Sequence, residues 1–208
     1  MRHQRLGTFT LLCFYIAACG GPQTGVAPTD SAATTSSESR STSATSDWPS
    51  ELPRITDPIN VDHWAETPCK VLSDMQLEKF SIESEPEAGK SDPGPTCDWG
   101  DIFEDKITVG ANFGTKQHST IPGLYKYNEM GFYSYFDPVV IEDYPAVIYT
   151  ESDERDAGGC AIAIGLREKH TYAMTIRLGD DHPDYGDPCS VLKDVAEMAV
   201  TTMTEGGS

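Results

Sequence analysis

Basic residues are scarce in this chain of 208 residues: 15 Lys and Arg stand against 33 Asp and Glu, a formal charge of −18. A surface of that sign repels phosphate backbones and anionic headgroups, which argues against nucleic acid and anionic lipid as partners. No apolar run approaches the roughly 20 residues that a membrane-spanning helix needs. Signatures of catalysis are missing too, with no Gly-x-Ser-x-Gly, no His-Glu-x-x-His and no cysteine-nucleophile context. His63, His118, His170 and His182 are scattered in polar surroundings and read as surface histidines. None of Cys69, Cys97, Cys160 and Cys189 lies two to four residues from another, the spacing of a zinc knuckle, so neither a metal nor a cofactor is expected.

What is present begins with an export signal. Arg2, His3 and Arg5 form a basic start, and Leu6–Ala18 supplies an apolar core of 13 residues, too short for a permanent span. It closes on Ile16-Ala17-Ala18-Cys19, followed by Gly20-Gly21. An aliphatic residue three before a cysteine, with small residues between, suits a peptidase cleft that holds an extended chain beside a membrane-embedded thioether. Residues 1–18 therefore read as a lipoprotein signal peptide and Cys19 as the lipidation site, a diacylglyceryl-cysteine that holds the protein on the extracytoplasmic face of the cell membrane. Each buried methylene contributes about 0.8 kcal/mol, and two acyl chains give stable attachment where one is marginal. Loss of residues 1–18 removes Arg2 and Arg5, leaving 13 bases against 33 acids and a formal charge of −20.

Residues 19–56 read as the anchor and a disordered tether. Between Thr29 and Ser46, fifteen of eighteen residues are Ser, Thr or Ala, a composition that cannot bury a core. By random-coil scaling, Gly20–Thr56 reaches roughly 30 to 35 Å, enough to lift a domain off the headgroups. Such tracts also accept O-linked sugars.

Apolar periodicity resumes over residues 57–204, roughly 150 residues, the usual size of one domain able to bury about two-thirds of its unfolded surface. Residues 205–208 read as a flexible tail. Four cysteines in an exported domain point to two disulfides. Loop entropy does not choose among the three connectivities, since local pairing contributes about 3.6 kcal/mol per bridge and longer loops about 4 to 5. An internal echo does choose. Pro68-Cys69-Lys70-Val71-Leu72 and Pro188-Cys189-Ser190-Val191-Leu192 each open a helical pattern, with proline at a helix start where it is tolerated. Cys97 follows the first with 27 residues between, and Cys160 precedes the second with 28, each in a strand-like segment. The pairs expected are Cys69 with Cys97 and Cys160 with Cys189.

The periodicity predicts a helix over Lys70–Phe80, a Pro/Gly-rich loop through Gly94-Pro95, and a hairpin of Cys97–Phe103 with Lys106–Phe113. A short helix follows near Pro122–Met130, then strands at Val139–Glu142 and Ala146–Thr150. Cys160–Leu166 and Tyr172–Leu178 form the clearest hairpin, and Ser190–Met203 closes the domain as an amphipathic helix. The fold class is α+β: an antiparallel sheet of about five or six strands with two to three helices packed on it.

This order resembles a family of actinobacterial lipoproteins known as domain of unknown function 3558. The residues that carry the resemblance are Pro68-Cys69, Cys97-Asp98-Trp99, Asp143-Tyr144-Pro145-Ala146, Cys160 and Asp187-Pro188-Cys189. It covers Asp57–Thr204 together with the segment around Cys19. The resemblance implies an exported lipoprotein, helices on an antiparallel sheet in a Mog1/PsbP-like arrangement, and no assigned reaction; it carries over no catalytic residues.

Two constellations remain. Asp180-Asp181-His182-Pro183-Asp184-Tyr185-Gly186-Asp187 is rich in oxygens, but it lacks the glycine and glutamate positions of an EF-hand and reads as a solvated loop, with Asp187 suited to cap the last helix. Within Tyr125–Phe136 six of twelve residues are aromatic. Such clusters are usually core, yet Tyr125, Tyr127, Tyr133 and Tyr135 are the candidate binding residues, since aromatic faces stack on sugar rings or receive a peptide or lipid. The chain thus reads as a non-catalytic binding or accessory module of the envelope, with an envelope protein, a cell-wall glycan or a small ligand as partner. The alternatives are a cell-envelope hydrolase using an acidic pair such as Asp180 and Asp184, and an extracytoplasmic sensor domain acting with a membrane partner.

Overall fold

Strict alternation along Ile107-Thr108-Val109-Gly110-Ala111-Asn112-Phe113 puts every second side chain out of water, and this strand lies third from one margin of a seven-stranded antiparallel sheet. The computed structural model describes Trp48–Gly206; the segment read as a signal peptide, Cys19 and the Ser/Thr/Ala tract lie outside the described residues. Seven strands, β1 (Glu87–Lys90), β2 (Pro95–Trp99), β3 (Ile107–Gly114), β4 (Tyr135–Ile141), β5 (Tyr144–Thr150), β6 (Gly159–Arg167) and β7 (His170–Leu178), are arranged in the order β1-β2-β3-β7-β6-β5-β4. Four helices accompany them: α1 (Val61–Glu66), α2 (Asp74–Glu78), α3 (Ile121–Glu129) and α4 (Pro188–Glu205). The fold is α+β with two disulfides, Cys69–Cys97 and Cys160–Cys189, whose Cα atoms stand 5.1 and 5.3 Å apart. The strand count exceeds the expected five or six because β1, Glu-Ala-Gly-Lys, is exposed at every position and carries no alternation to read.

The two faces of the sheet are covered unequally. One face receives Trp99, Val109, Met174, Ile162 and Ile148 and is covered by α1, α2 and α4 in the main core. α4 contributes Val191, Leu192, Val195, Ala196, Ala199, Val200 and Met203, a stripe at helical spacing; each of the larger side chains contributes about 1.5 to 3 kcal/mol when fully buried. Its N-cap is Asp187, whose carboxylate accepts from the Ser190 N–H at 3.3 Å, as the sequence implied. A second, smaller core of Leu52, Ile121, Leu124, Val147 and Ala163 sits beneath α3. Trp48 packs against it, so the folded chain begins upstream of Asp57.

The helix predicted over Lys70–Phe80 is interrupted. Pro68–Val71 forms a 3-10 turn, Leu72 is extended, and α2 starts afresh behind Ser73, whose N–H donates to Gln76 Oε1 at 2.8 Å. Val71 and Leu72 are both buried, and the Cys69–Cys97 bridge ties the turn to β2. Gln76 also reaches α4, donating to Thr202 Oγ1 at 3.0 Å. The strand predicted at Val139–Glu142 begins earlier, at Tyr135, and runs through Pro138 on the outer strand of the sheet. Between β4 and β5, Glu142 and Asp143 have φ of 47° and 68°, the paired positive values of a tight two-residue hairpin turn.

The Cys160–Cys189 bridge staples the start of α4 to β6 across a sequence separation of 29. Chain entropy assigns such a loop about 3.6 kcal/mol. A Cys160→Ala/Cys189→Ala double variant is expected to lose about 3 to 4 kcal/mol in urea unfolding with the Cys69–Cys97 bridge intact; a loss under about 1 kcal/mol counts against this role.

Candidate functional site

The aromatic run Tyr125–Phe136 spans the end of α3, a chain reversal and the start of β4. α3 is set by Thr120, whose Oγ1 accepts from the Gly123 N–H at 3.2 Å, with Pro122 in the first turn. A Cβ at Gly123 would stand 2.1 Å from the Gln117 carbonyl oxygen, so only glycine lets the helix pack this closely on the preceding turn. At the other end Gly131 takes φ 77°, and the Phe132 N–H returns to the Tyr127 carbonyl at 3.1 Å while the Gly131 N–H donates to the Asn128 carbonyl at 2.9 Å. This is a Schellman closure, and it brings the residue after the glycine onto the side chain five positions earlier. The Phe132 and Tyr127 rings accordingly meet at 4.9 Å.

The four candidate tyrosines go to three places. Tyr125 and Tyr133 pack with Phe136 and Tyr149 against the second core: Tyr125 lies edge-on to Phe136 at 5.0 Å, and Tyr133 contacts Tyr149 at 5.0 Å. Tyr127 lies on the outer side with Phe132, and the His118 ring stands 6.4 Å away. Tyr135, nine residues after Lys126 but on a strand, belongs with the main core on the other face; the Arg155 guanidinium sits 3.5 Å above its ring and is clamped by both Asp153 oxygens at 2.7 Å. Its hydroxyl donates to Asp137 at 3.3 Å.

Three concave surfaces result. The largest, about 870 Å³, runs along α3 and is lined by His118, Tyr125, Lys126, Tyr127, Met130 and Phe132 among others. Met130 and Phe132 are 62% and 51% exposed, two of the five large apolar side chains left in solvent among the described residues. A trough of about 570 Å³ crosses the part of the sheet that α3 leaves bare, between Thr108, Ala161 and Thr175 and the Tyr149–Glu151 wall, with Arg177 bonded to Glu154 at its rim. A third hollow of about 420 Å³ lies at the start of α4 between Arg155, Lys193 and Cys189. The trough left no sequence signal, because its floor is Thr, Ala and Gly at ordinary strand positions.

Asp180 and Asp184 occupy exposed turn positions and line none of these hollows, while Asp181 pairs with Lys106 at 2.6 Å. Two of the four histidines are not on the open surface as expected. His170 is half-buried and accepts from Arg167 Nε at 2.9 Å, and His182 is half-buried with its Nδ1 accepting from the Asp184 N–H. Burial, then the Arg167 charge, holds His170 below its ordinary pKa.

Burial raises the Tyr125 hydroxyl, helped by the Glu51 carboxylate, and pushes Tyr133 up to about 12, with Tyr149, Glu151 and Tyr127 adding to it. A tyrosine raised in the fold remains neutral while the unfolded chain, titrating near pH 10, ionises. Its contribution is therefore complete below about pH 10 and is lost as pH rises toward 12. Urea unfolding between pH 8 and 11.5 is expected to show falling stability above pH 10, with a shallower fall in Tyr133→Phe; an unchanged slope removes Tyr133 from the titrating set.

A family model described as protein of unknown function (DUF3558) matches residues 14–202. No curated protein and no solved structure matches the chain. The matched span takes in both disulfides, the whole sheet and nearly all of α4, and on that evidence the chain belongs to the DUF3558 family.

Proposed function

We propose that this protein is a lipid-anchored envelope lipoprotein whose extracytoplasmic domain is a non-catalytic binding or accessory module, and that the groove along α3 is its recognition surface. The anchoring half of the reading rests on the sequence: the basic start, the short apolar core and Ile16-Ala17-Ala18-Cys19. The binding half is carried by one observation, the exposure of Phe132 and Met130 beside Tyr127 in the largest of these three hollows. Exposed apolar side chains gathered in one concavity mark a recognition site more than scattered ones do. The Schellman closure that presents Phe132 is fixed by backbone bonds, so the rings are held ready before any ligand arrives. A hydrolase built on Asp180 and Asp184 draws no support from the geometry, since these acids stand outside all three hollows.

Cys19→Ala is expected to leave the precursor uncut or to release the protein from the membrane fraction; a processed variant that stays on the membrane refutes the anchor. For the groove, the full-length protein purified in detergent is expected to sediment with isolated envelopes of its host. Tyr127→Ala/Phe132→Ala should weaken this about tenfold or more, the scale of losing an aromatic anchor, while shifting stability by about 1 kcal/mol. Equal sedimentation of the two forms refutes the site.

A further inference from the structure

We infer that the ligand of the α3 groove is an uncharged polysaccharide of the envelope, held by stacking of sugar rings on Tyr127 and Phe132; this rests on the groove being the recognition surface. A sugar ring presents an apolar C–H face and a rim of hydroxyls, so its binding site needs aromatic faces interleaved with polar side chains. The groove has that alternation. Tyr127 and Phe132 form a tilted pair, 4.9 Å between centroids and 53° between planes, and His118 closes on Tyr127 at 62°. Gln117, Lys126 and Glu129 sit among the rings as donors and acceptors.

Charge selects within the carbohydrates. Lys126 and Glu129 cancel inside the groove, whereas the protein beyond residue 18 carries −20 overall. A neutral lining in an acidic molecule suits an uncharged ligand, and the surrounding field repels anionic polymers. An amphipathic helix or an extended apolar peptide would require an unbroken apolar floor, which Gln117, Lys126 and Glu129 interrupt. Size sets the last constraint. About 870 Å³ lies near the upper end of ordinary ligand pockets, roughly 300 to 1,000 Å³, which fits several linked rings rather than a single sugar.

The test uses the full-length protein in detergent and host cell-wall polysaccharide that has been boiled in dodecyl sulfate and treated with protease, so that neither protein nor lipid remains. The protein is expected to sediment with this material, and raising salt from about 50 to 500 mM should leave binding unchanged, as for a ligand without charge. Phe132→Leu keeps the bulk and apolarity but removes the ring, and should weaken binding about tenfold, whereas Phe132→Tyr should retain it. Phe103→Ala, which alters an apolar side chain 90% exposed on another loop, should change nothing. Binding to whole envelopes but not to the stripped polysaccharide would overturn the inference while leaving the groove as a site for a protein. Full retention of binding in Phe132→Leu, or its loss in salt, would also overturn it.

Discussion

The pairing of β3 with β7 joins two groups of strands that are remote in the chain. Eight successive residue pairs, from Ile107 with Leu178 to Gly114 with Thr171, form the seam. On one side of it lie β2 and β1, on the other β6, β5 and β4. The two disulfides stand symmetrically about it. Cys97 lies on the strand next to β3 and Cys160 on the strand next to β7, and both face the main core. Their rungs run Cys97-Ala111-Met174-Ile162 and Trp99-Val109-Ile176-Cys160 across the four central strands. Each bridge therefore fixes a helical element over its own half of the sheet, and the seam makes the two halves a single surface on which α4 can lie.

Much of this architecture was legible from residue order. β6, β7 and α4 announce themselves because their alternation or helical spacing coincides with burial, as in Ile162-Ile164-Leu166 and Val191-Val195-Ala199. The echo of Pro-Cys before two helical patterns was enough to choose the disulfide pairing that the structure contains. The misreadings have physical causes. Val71, Leu72, Met75, Leu77 and Phe80 include neighbours at helical spacing, but a covalent bridge and a capping side chain at Ser73–Gln76 split the segment, and Met75 is exposed. β1 is held by its ladder with β2 alone and buries nothing, so no periodicity marks it.

The candidate site was legible in composition but not in space. Six aromatic residues within Tyr125–Phe136 look like one patch, yet three different periods operate along those residues. Helical spacing turns Tyr125 inward and Tyr127 outward, the reversal at Gly131 folds Phe132 back over Tyr127, and strand alternation sends Tyr135 and Phe136 to opposite faces. The signal that separates them is Gly131 itself, which has open space around it and is required for its positive φ rather than for packing.

Pro138 restricts how this domain can associate with anything else. In a two-residue hairpin the pair beside the turn, here Ile141 and Tyr144, exchanges both of its hydrogen bonds, and so does every second pair after it. Pro138, opposite Val147, falls in the alternate set, so its nitrogen faces the open side of β4. That side offers an incomming strand one donor too few, while the opposite margin, β1, is four residues long and bears Glu87 and Lys90. Neither margin of the sheet invites extension by a foreign strand, and molecules held side by side at high density would not zip together through their backbones.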